Sequence, residues 1–181
     1  MPIPLRVVLW KANGLSNHKL ELQAFLDMHK IDIALISGTH FTSRTVFKIP
    51  HYTVYHTTHP DDTAHGVAAV ILRSSIRHHE LLPHQSDKIQ AATVQLDAHP
   101  WPLTISAIYC LPRQAISTDD YDNLPIPGNS VPDWRGMERE TYCVGSTAYH
   151  TEGKEPPPRY LQPQLSLFQH WRTHTLADGP H

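Results

Sequence analysis

Short apolar runs recur between residues 5 and 110 and become rare afterwards. Runs of five to eight residues that are rich in β-branched side chains are typical of buried strands. They predict strands over residues 5–10, 31–37, 52–56, 67–72, 89–96 and 103–109. Polar or proline-bearing turns separate these runs, which suits a domain built mainly from sheets.

One segment among the strands has helical spacing. Asn17 is placed to cap a helix that continues to about Lys30. One stripe of this helix consists of Leu22, Phe25, Leu26 and His29. Many strands with few helices between them predict a layered α/β domain rather than a strictly alternating parallel sheet.

The net charge and the cysteine content limit which partners and which cellular compartment the sequence predicts. A net charge of −2 gives no excess of positive charge of the kind that favours nucleic-acid binding. Cys110 and Cys143 suit a reducing compartment and exclude a disulfide framework. No signal peptide and no membrane span can be read, so we expect a soluble protein of the cytoplasm or nucleus with no membrane partner.

The last third of the chain differs in composition from the rest. Eight of the 16 prolines fall in the last 58 residues, including the triplet Pro156 to Pro158. No window there has strand or helix periodicity long enough to predict an element. We therefore expect two parts: residues 1–123 as the N-terminal part of a folded domain, and residues 124–181 as a disordered or loosely packed tail.

Four motifs in the first part occur in an order that resembles a known family. They are LRVVLWKANGL at 5–15, IDIALISGTHF at 31–41, HGVAAVILRSSI at 65–76 and LTISAIYCLPR at 103–113. Together they resemble the endonuclease/exonuclease/phosphatase superfamily, and most of all the endonuclease domain of jockey-type non-LTR retrotransposons. The resemblance implies a four-layer α/β sandwich, here incomplete and followed by an irregular C-terminal tail.

The resemblance also implies a chemistry. In this family a Mg²⁺-dependent site hydrolyses a phosphodiester and nicks target DNA, and a reverse transcriptase domain follows downstream. A hard cation needs carboxylate oxygen, which a Glu after the second strand supplies. An Asn ends the first strand, a Tyr supports the scissile phosphate, and a later Gly-Asp-x-Asn strand and a terminal Asp-His pair complete the site.

Several positions depart from that pattern. Lys11 stands where the family has Asn, and Gly38 stands where it has the metal-binding Glu. Val67 and Leu111 replace an expected Gly and Pro. Neither the Gly-Asp-x-Asn strand nor the Asp-His pair can be read. Losing a metal ligand removes transition-state stabilisation, and each 1.36 kcal/mol that is lost slows the reaction about tenfold. We therefore expect no normal turnover and no productive Mg²⁺ binding.

Two expected site residues remain, Tyr109 and His40. Each candidate also has an ordinary structural explanation: Lys11 as a solvated strand-end lysine, Gly38 as a turn glycine, Tyr109 as a strand aromatic and His40 as a loop histidine. Arg73, Arg77 and Lys88 are candidates for phosphate contacts or scattered surface charges. His78 and His79 are adjacent, so a strand would point them to opposite faces. A structural zinc site is not expected.

The tail is also open to a hypothesis about its reading frame. The genetic code permits a set of codons for residues 137–145 that, when reading starts one base later, encodes Trp-Asn-Ala-Lys-His-Thr-Ala-Trp. This is the sequence expected around the missing Asp-x-Asn site. Residues 127–136 and 170–177 permit further family-like strings in the same frame. A frameshift near Asn123 is the hypothesis, and the codons of the genomic sequence test it.

A tail in a displaced frame would lack the central strands of the second sheet. We therefore expect the first sheet to expose an apolar face.

Overall fold

A computed structural model of the chain describes residues 5–97, 102–111, 117, 119–120 and 124, together with the backbone of 144–148 and 165–169. The strands of this described part are β1 Leu5–Lys11, β2 Ile33–Ser37, β3 Tyr52–His56, β4 Ala68–Arg73, β5 His78–Glu80, β6 His84–Gln85, β7 Ile89–Leu96, β8 Leu103–Cys110, β9 Val144–Ala148 and β10 Leu165–Gln169. A 3-10 helix, Leu15–His18, leads into the α-helix α1, Lys19–His29.

The strands form two sheets. The first has the order β10-β1-β2-β4-β3, with β1 parallel to both β10 and β2, and β4 antiparallel to β2 and β3. The second has the order β5-β7-β8-β9, all antiparallel, with β6 also beside β7. A mixed sheet packed on an antiparallel sheet, with few helices, confirms the predicted fold class, an incomplete four-layer α/β sandwich.

The main core lies between the two sheets. Alternate residues of β1, β2 and β4 meet alternate residues of β7 and β8, as the period of two along a strand requires. The buried members are Val7, Leu9, Ile33, Leu35, Ala68, Val70, Leu72, Ala92, Val94, Leu96, Leu103, Ile105 and Ala107. The expectation that the first sheet exposes an apolar face is therefore wrong, because β7 and β8 cover it.

Helix α1 packs on the other face of the first sheet. Leu22 and Leu26 are buried there, whereas His29 is exposed, although its ring lies against that of Phe25. The prediction that Asn17 caps the helix is wrong. The 3-10 turn intervenes, and His18 holds the N-cap position without a side-chain capping bond.

Two strands come from the segment in which the sequence predicted none. β9 pairs with β8, and β10 pairs with β1 along one edge of the first sheet. Their short, weakly patterned sequences, VGSTA and LSLFQ, gave no periodic signal. The other residues predicted to be disordered after 124 lie outside the described ones, so the division at residue 123 stays a prediction. No helix of the described part is long and apolar enough to span a membrane.

Candidate functional site at the strand ends

The carboxyl ends of β1 and β2 and the start of β4 meet at one end of the first sheet. The Ala12 amide donates to the Ser37 carbonyl oxygen at 2.9 Å, and the Thr39 amide donates to that of Val67 at 3.1 Å. These bonds continue the sheet pairing beyond the strands themselves. Three loops are thereby held side by side at one end of the sandwich, beside the edge of the core between the two sheets. This end is called the mouth.

Lys11 is the last residue of β1 and lies beside Ser37 of β2. Because Leu9 belongs to the core between the sheets, strand alternation places Lys11 on the same face. Its side chain is exposed and forms no ion pair with another described residue. The strand end therefore presents a mobile positive charge at the mouth.

Gly38 follows β2 directly and has a left-handed backbone, with φ of 69°. Its carbonyl oxygen accepts a bond from the Gly14 amide at 2.8 Å. A Cβ at this position would lie 3.4 Å from the Asn13 nitrogen. The backbone here suits glycine, and an L side chain would be strained by roughly 1–2 kcal/mol.

Tyr109 reaches the same end from the second sheet. It lies near the end of β8 on the face that packs against the first sheet, and it is half-buried. Its hydroxyl makes no hydrogen bond with another described residue. Burial raises the pKa of the Tyr109 phenol, and nearby Cys110 raises it further. The hydroxyl therefore stays protonated at neutral pH and is available as a donor.

Gly66, in the loop before β4, packs directly on the Tyr109 ring. A Cβ on Gly66 would lie 2.5 Å from both Cε2 and the hydroxyl oxygen of Tyr109, and closer still to Cζ. No side chain fits in that space. The sequence showed a glycine in a family-like motif but not that it contacts Tyr109, because the contact joins two sheets.

Gln90 is a second residue that the sequence analysis missed. It pairs with Tyr109 across β7 and β8 and is fully buried. Its amide nitrogen donates to the Ser86 carbonyl oxygen at 2.6 Å, while its amide oxygen is buried and has no hydrogen-bond partner among the described residues. The sequence indicates that β7 and β8 form a hairpin, but the long loop between them does not fix which residues pair. The pairing of Gln90 with Tyr109 could therefore not be predicted.

His40 is placed differently from the other candidates. It is exposed, has φ of 58°, and its Nδ1 would be 3.6 Å from a Cβ on Gly14. It makes no hydrogen bond to Lys11 or Tyr109. The strand ends thus bring together Lys11, Gly38 and Tyr109, with His40 on the neighbouring loop.

Two of the three cations proposed for phosphate contacts have protein partners. Arg73 donates to the Ile31 carbonyl oxygen at 3.1 Å and lies 3.5 Å from the Asp32 carboxylate. Lys88 pairs with Asp120 at 3.0 Å. Both contacts compete with binding to a phosphate.

The adjacent histidines His78 and His79 have separate partners. His78 lies 3.2 Å from the Tyr55 hydroxyl, and His79 lies 3.5 Å from the Asp97 carboxylate. Among the residues the structure describes, no three or more His, Cys, Asp or Glu side chains are grouped closely enough to hold a metal ion.

Removing the Tyr109 hydroxyl is expected to cost little stability. Tyr109→Phe should change the free energy of unfolding by less than about 0.5 kcal/mol, since its hydroxyl forms no hydrogen bond with any residue that the structure describes. Tyr52→Phe is the matched control, because the Tyr52 hydroxyl donates to the buried Ile31 carbonyl oxygen at 2.7 Å. That variant should lose about 0.5–1.5 kcal/mol. Urea unfolding measures both, and equal losses would show that the Tyr109 hydroxyl has a structural partner.

Known proteins resemble this chain in sequence. A probable RNA-directed DNA polymerase from transposon X-element of Drosophila melanogaster is 32% identical over 123 residues, which are 67% of this chain and 14% of that protein. The RNA-directed DNA polymerase from mobile element jockey of the same organism is 33% identical over 120 residues, 66% of this chain and 13% of that protein. No model of a known protein family matches the chain.

A solved structure is also similar, at lower identity. The AP endonuclease LMAP from Leishmania major has a TM-score of 0.43 and 14% identity, and the similarity covers 57% of this chain and 38% of that one.

About two thirds of the chain is therefore similar in sequence to part of retrotransposon proteins. Its homologues are the RNA-directed DNA polymerases of the jockey and X-element mobile elements, which confirms the resemblance drawn from the four motifs. The chain spans about one seventh of the length of these relatives, 14% and 13% respectively.

Proposed function

We propose that the chain is a remnant of a retrotransposon endonuclease domain that no longer performs Mg²⁺-dependent phosphodiester hydrolysis. One observation carries the proposal: the strand ends present the Lys11 ammonium and a glycine, Gly38, where a hard cation would need carboxylate oxygen. The residues at this position do not fit a Mg²⁺ ion. Lys11 would repel it, and neither Gly38 nor the protonated Tyr109 supplies an anionic ligand.

What these residues can still do is hold an anion. An exposed ammonium and a phenol donor at the same mouth are suited to phosphate oxygens, which accept hydrogen bonds and carry negative charge. This favours a second candidate function, a non-catalytic module that binds DNA. A translated pseudogene product without a selected role is the remaining alternative.

A plasmid assay tests the loss of cleavage. We expect the chain to convert no more supercoiled DNA to the nicked form, in Mg²⁺ or Mn²⁺, than Tyr109→Phe converts. Lys11→Ala should behave in the same way. Metal-dependent nicking that Tyr109→Phe abolishes would contradict the proposal, and so would nicking that requires Lys11.

The double variant Lys11→Asn with Gly38→Glu extends the same assay. We expect no rescue, because the later Asp-x-Asn and Asp-His groups cannot be read in the chain and Glu at position 38 is strained. Rescue by this pair alone would mean that residues 124–181 supply the missing groups after all.

DNA binding separates the two non-catalytic alternatives. A binding module should bind a short duplex, and Lys11→Ala should reduce the salt dependence of binding by the equivalent of about one phosphate contact. Lys30→Ala, at the exposed C-cap of α1 and near the end of β2 opposite to Gly38, is the control. A pseudogene product should show neither the binding nor the difference between the two variants.

A further inference from the structure

The loop between β3 and β4 contains a histidine–carboxylate pair that the strand-end site does not use. His59 is buried, and its Nδ1 lies 2.5 Å from an Asp61 carboxylate oxygen. The same oxygen accepts bonds from the Thr63 amide at 2.9 Å and the Thr63 hydroxyl at 2.6 Å. The carboxylate is thereby fixed in place, and it fixes the His59 ring in turn.

These bonds determine which nitrogen of the ring is free. Asp61 already accepts two hydrogen bonds from Thr63 at this oxygen, so the carboxylate faces His59 as a hydrogen-bond acceptor. The Nδ1 atom of His59 faces this acceptor, which leaves Nε2 as the ring nitrogen that can bind another group. That Nε2 atom is buried and has no hydrogen-bond partner among the residues that the structure describes. A buried polar atom without a partner is uncommon and calls for a physical explanation.

A second imidazole lies beside the first. The rings of His59 and His65 have centroids 5.5 Å apart and planes at 86°. A tetrahedral metal with metal–nitrogen bonds of about 2.0–2.1 Å holds two imidazole centroids roughly 5 Å apart. At 5.5 Å the His65 ring is close enough to bind the same ion as His59 once its side chain turns. His65 is exposed, so its ring can turn toward a shared ion.

We propose that His59 and His65 form a binding site for a divalent transition metal of the Zn²⁺ type, with Asp61 orienting His59 from behind. A carboxylate bonded to the far nitrogen is the usual support of a metal-binding histidine. Nitrogen ligands select Zn²⁺, Ni²⁺ or Cu²⁺ over Mg²⁺, so this site differs chemically from the Mg²⁺ site that the family resemblance implies at the strand ends. The two protein ligands leave the remaining positions to water or an anionic ligand.

Such a site would act on the strand ends through the chain. His65 immediately precedes Gly66, which packs against Tyr109. An ion that joins residues 59 and 65 would hold the loop and so limit the motion of Gly66 against the ring.

A Zn²⁺ titration of the full chain in competition with a chromophoric chelator tests the proposal. We expect one equivalent of bound Zn²⁺ that is lost in His59→Gln and in His65→Gln and retained in His51→Gln, an exposed histidine on the turn before β3. Asp61→Asn should weaken this binding about 10–100-fold. Unchanged stoichiometry and affinity in His65→Gln, whose side chain is exposed, would overturn the proposal.

A measurement on the unmodified chain covers the case in which His59→Gln does not fold. Substoichiometric Cu²⁺ should broaden the amide resonances of His65 and Gly66 before those next to other histidines. Broadening that begins elsewhere would also overturn the proposal. Neither experiment uses nuclease activity or DNA, so its outcome is independent of the proposed function.

Discussion

Replacing Gly66 by alanine is expected to displace Tyr109 and to lower the free energy of unfolding by about 1–3 kcal/mol. The added methyl would overlap the ring carbons and the hydroxyl of Tyr109, so the ring or the loop must shift to accommodate it. Tyr109→Phe would not relieve the overlap, because Cε2 and Cζ remain. The effect is steric and does not depend on what the site binds.

A double-mutant cycle measures this contact. Tyr109→Ala removes the ring, so Gly66→Ala in that background should cost much less than in the unmodified chain. Ala64→Ser, at an exposed position of the same loop, is the control and should change the free energy of unfolding by less than about 0.5 kcal/mol. Equal costs of Gly66→Ala with and without the ring would contradict the packing of Gly66 on Tyr109.

Phe41→Ala should have the largest effect on stability, a loss of about 3–5 kcal/mol. Phe41 is fully buried on the helix side of the first sheet, with its ring centroid 5.1 Å from those of both Phe47 and His56. It also follows His40 directly and anchors the loop that leaves β2. Truncation would leave a cavity and loosen the strand-end turn.

Val46→Ala is the control for this substitution. Val46 lies in the same loop but is 81% exposed, so its truncation should cost less than about 0.5 kcal/mol. Phe41→Leu should lose less than Phe41→Ala, since it keeps most of the apolar volume. A Phe41→Ala variant as stable as Val46→Ala would show that the loop does not pack as described.

The strongly apolar strands could be predicted from the sequence almost to the residue. The predicted strand at 89–96 has the same bounds as β7, and the strand predicted at 67–72 is displaced by one residue from β4. Apolar and β-branched residues dominate these runs because most of their side chains are buried, and this composition is a strong local signal. The short polar strands β5 and β6 were missed because two or three residues establish no period.

The start of α1 and the cover of the first sheet could not be predicted, for different reasons. The helix begins after a 3-10 turn that no capping rule anticipates. The first sheet was expected to have an exposed apolar face because the resemblance assigned the central strands of the second sheet to the tail. In the structure β7 and β8, both read correctly as strands, already pack against the first sheet.

For the candidate site, the sequence identified the positions but not their conformation. Motif order pointed to Lys11, Gly38 and Tyr109, and the structure brings these to one end of the sandwich. The left-handed backbone of Gly38 and the contact of Gly66 with Tyr109 depend on chain segments far apart in sequence. No local pattern encodes such contacts.

Mn²⁺ binding tests the central claim, the loss of the hard-metal site, most directly. Paramagnetic Mn²⁺ broadens nearby amide resonances and replaces Mg²⁺ at oxygen-ligand sites. The loss of carboxylate oxygen at the strand ends predicts that Ala12, Gly38 and Tyr109 broaden no more than an exposed loop amide such as that of Val46. Selective broadening of those three resonances at low Mn²⁺ concentration would show that the strand ends still hold a metal ion, and would contradict the proposed loss of metal-dependent cleavage.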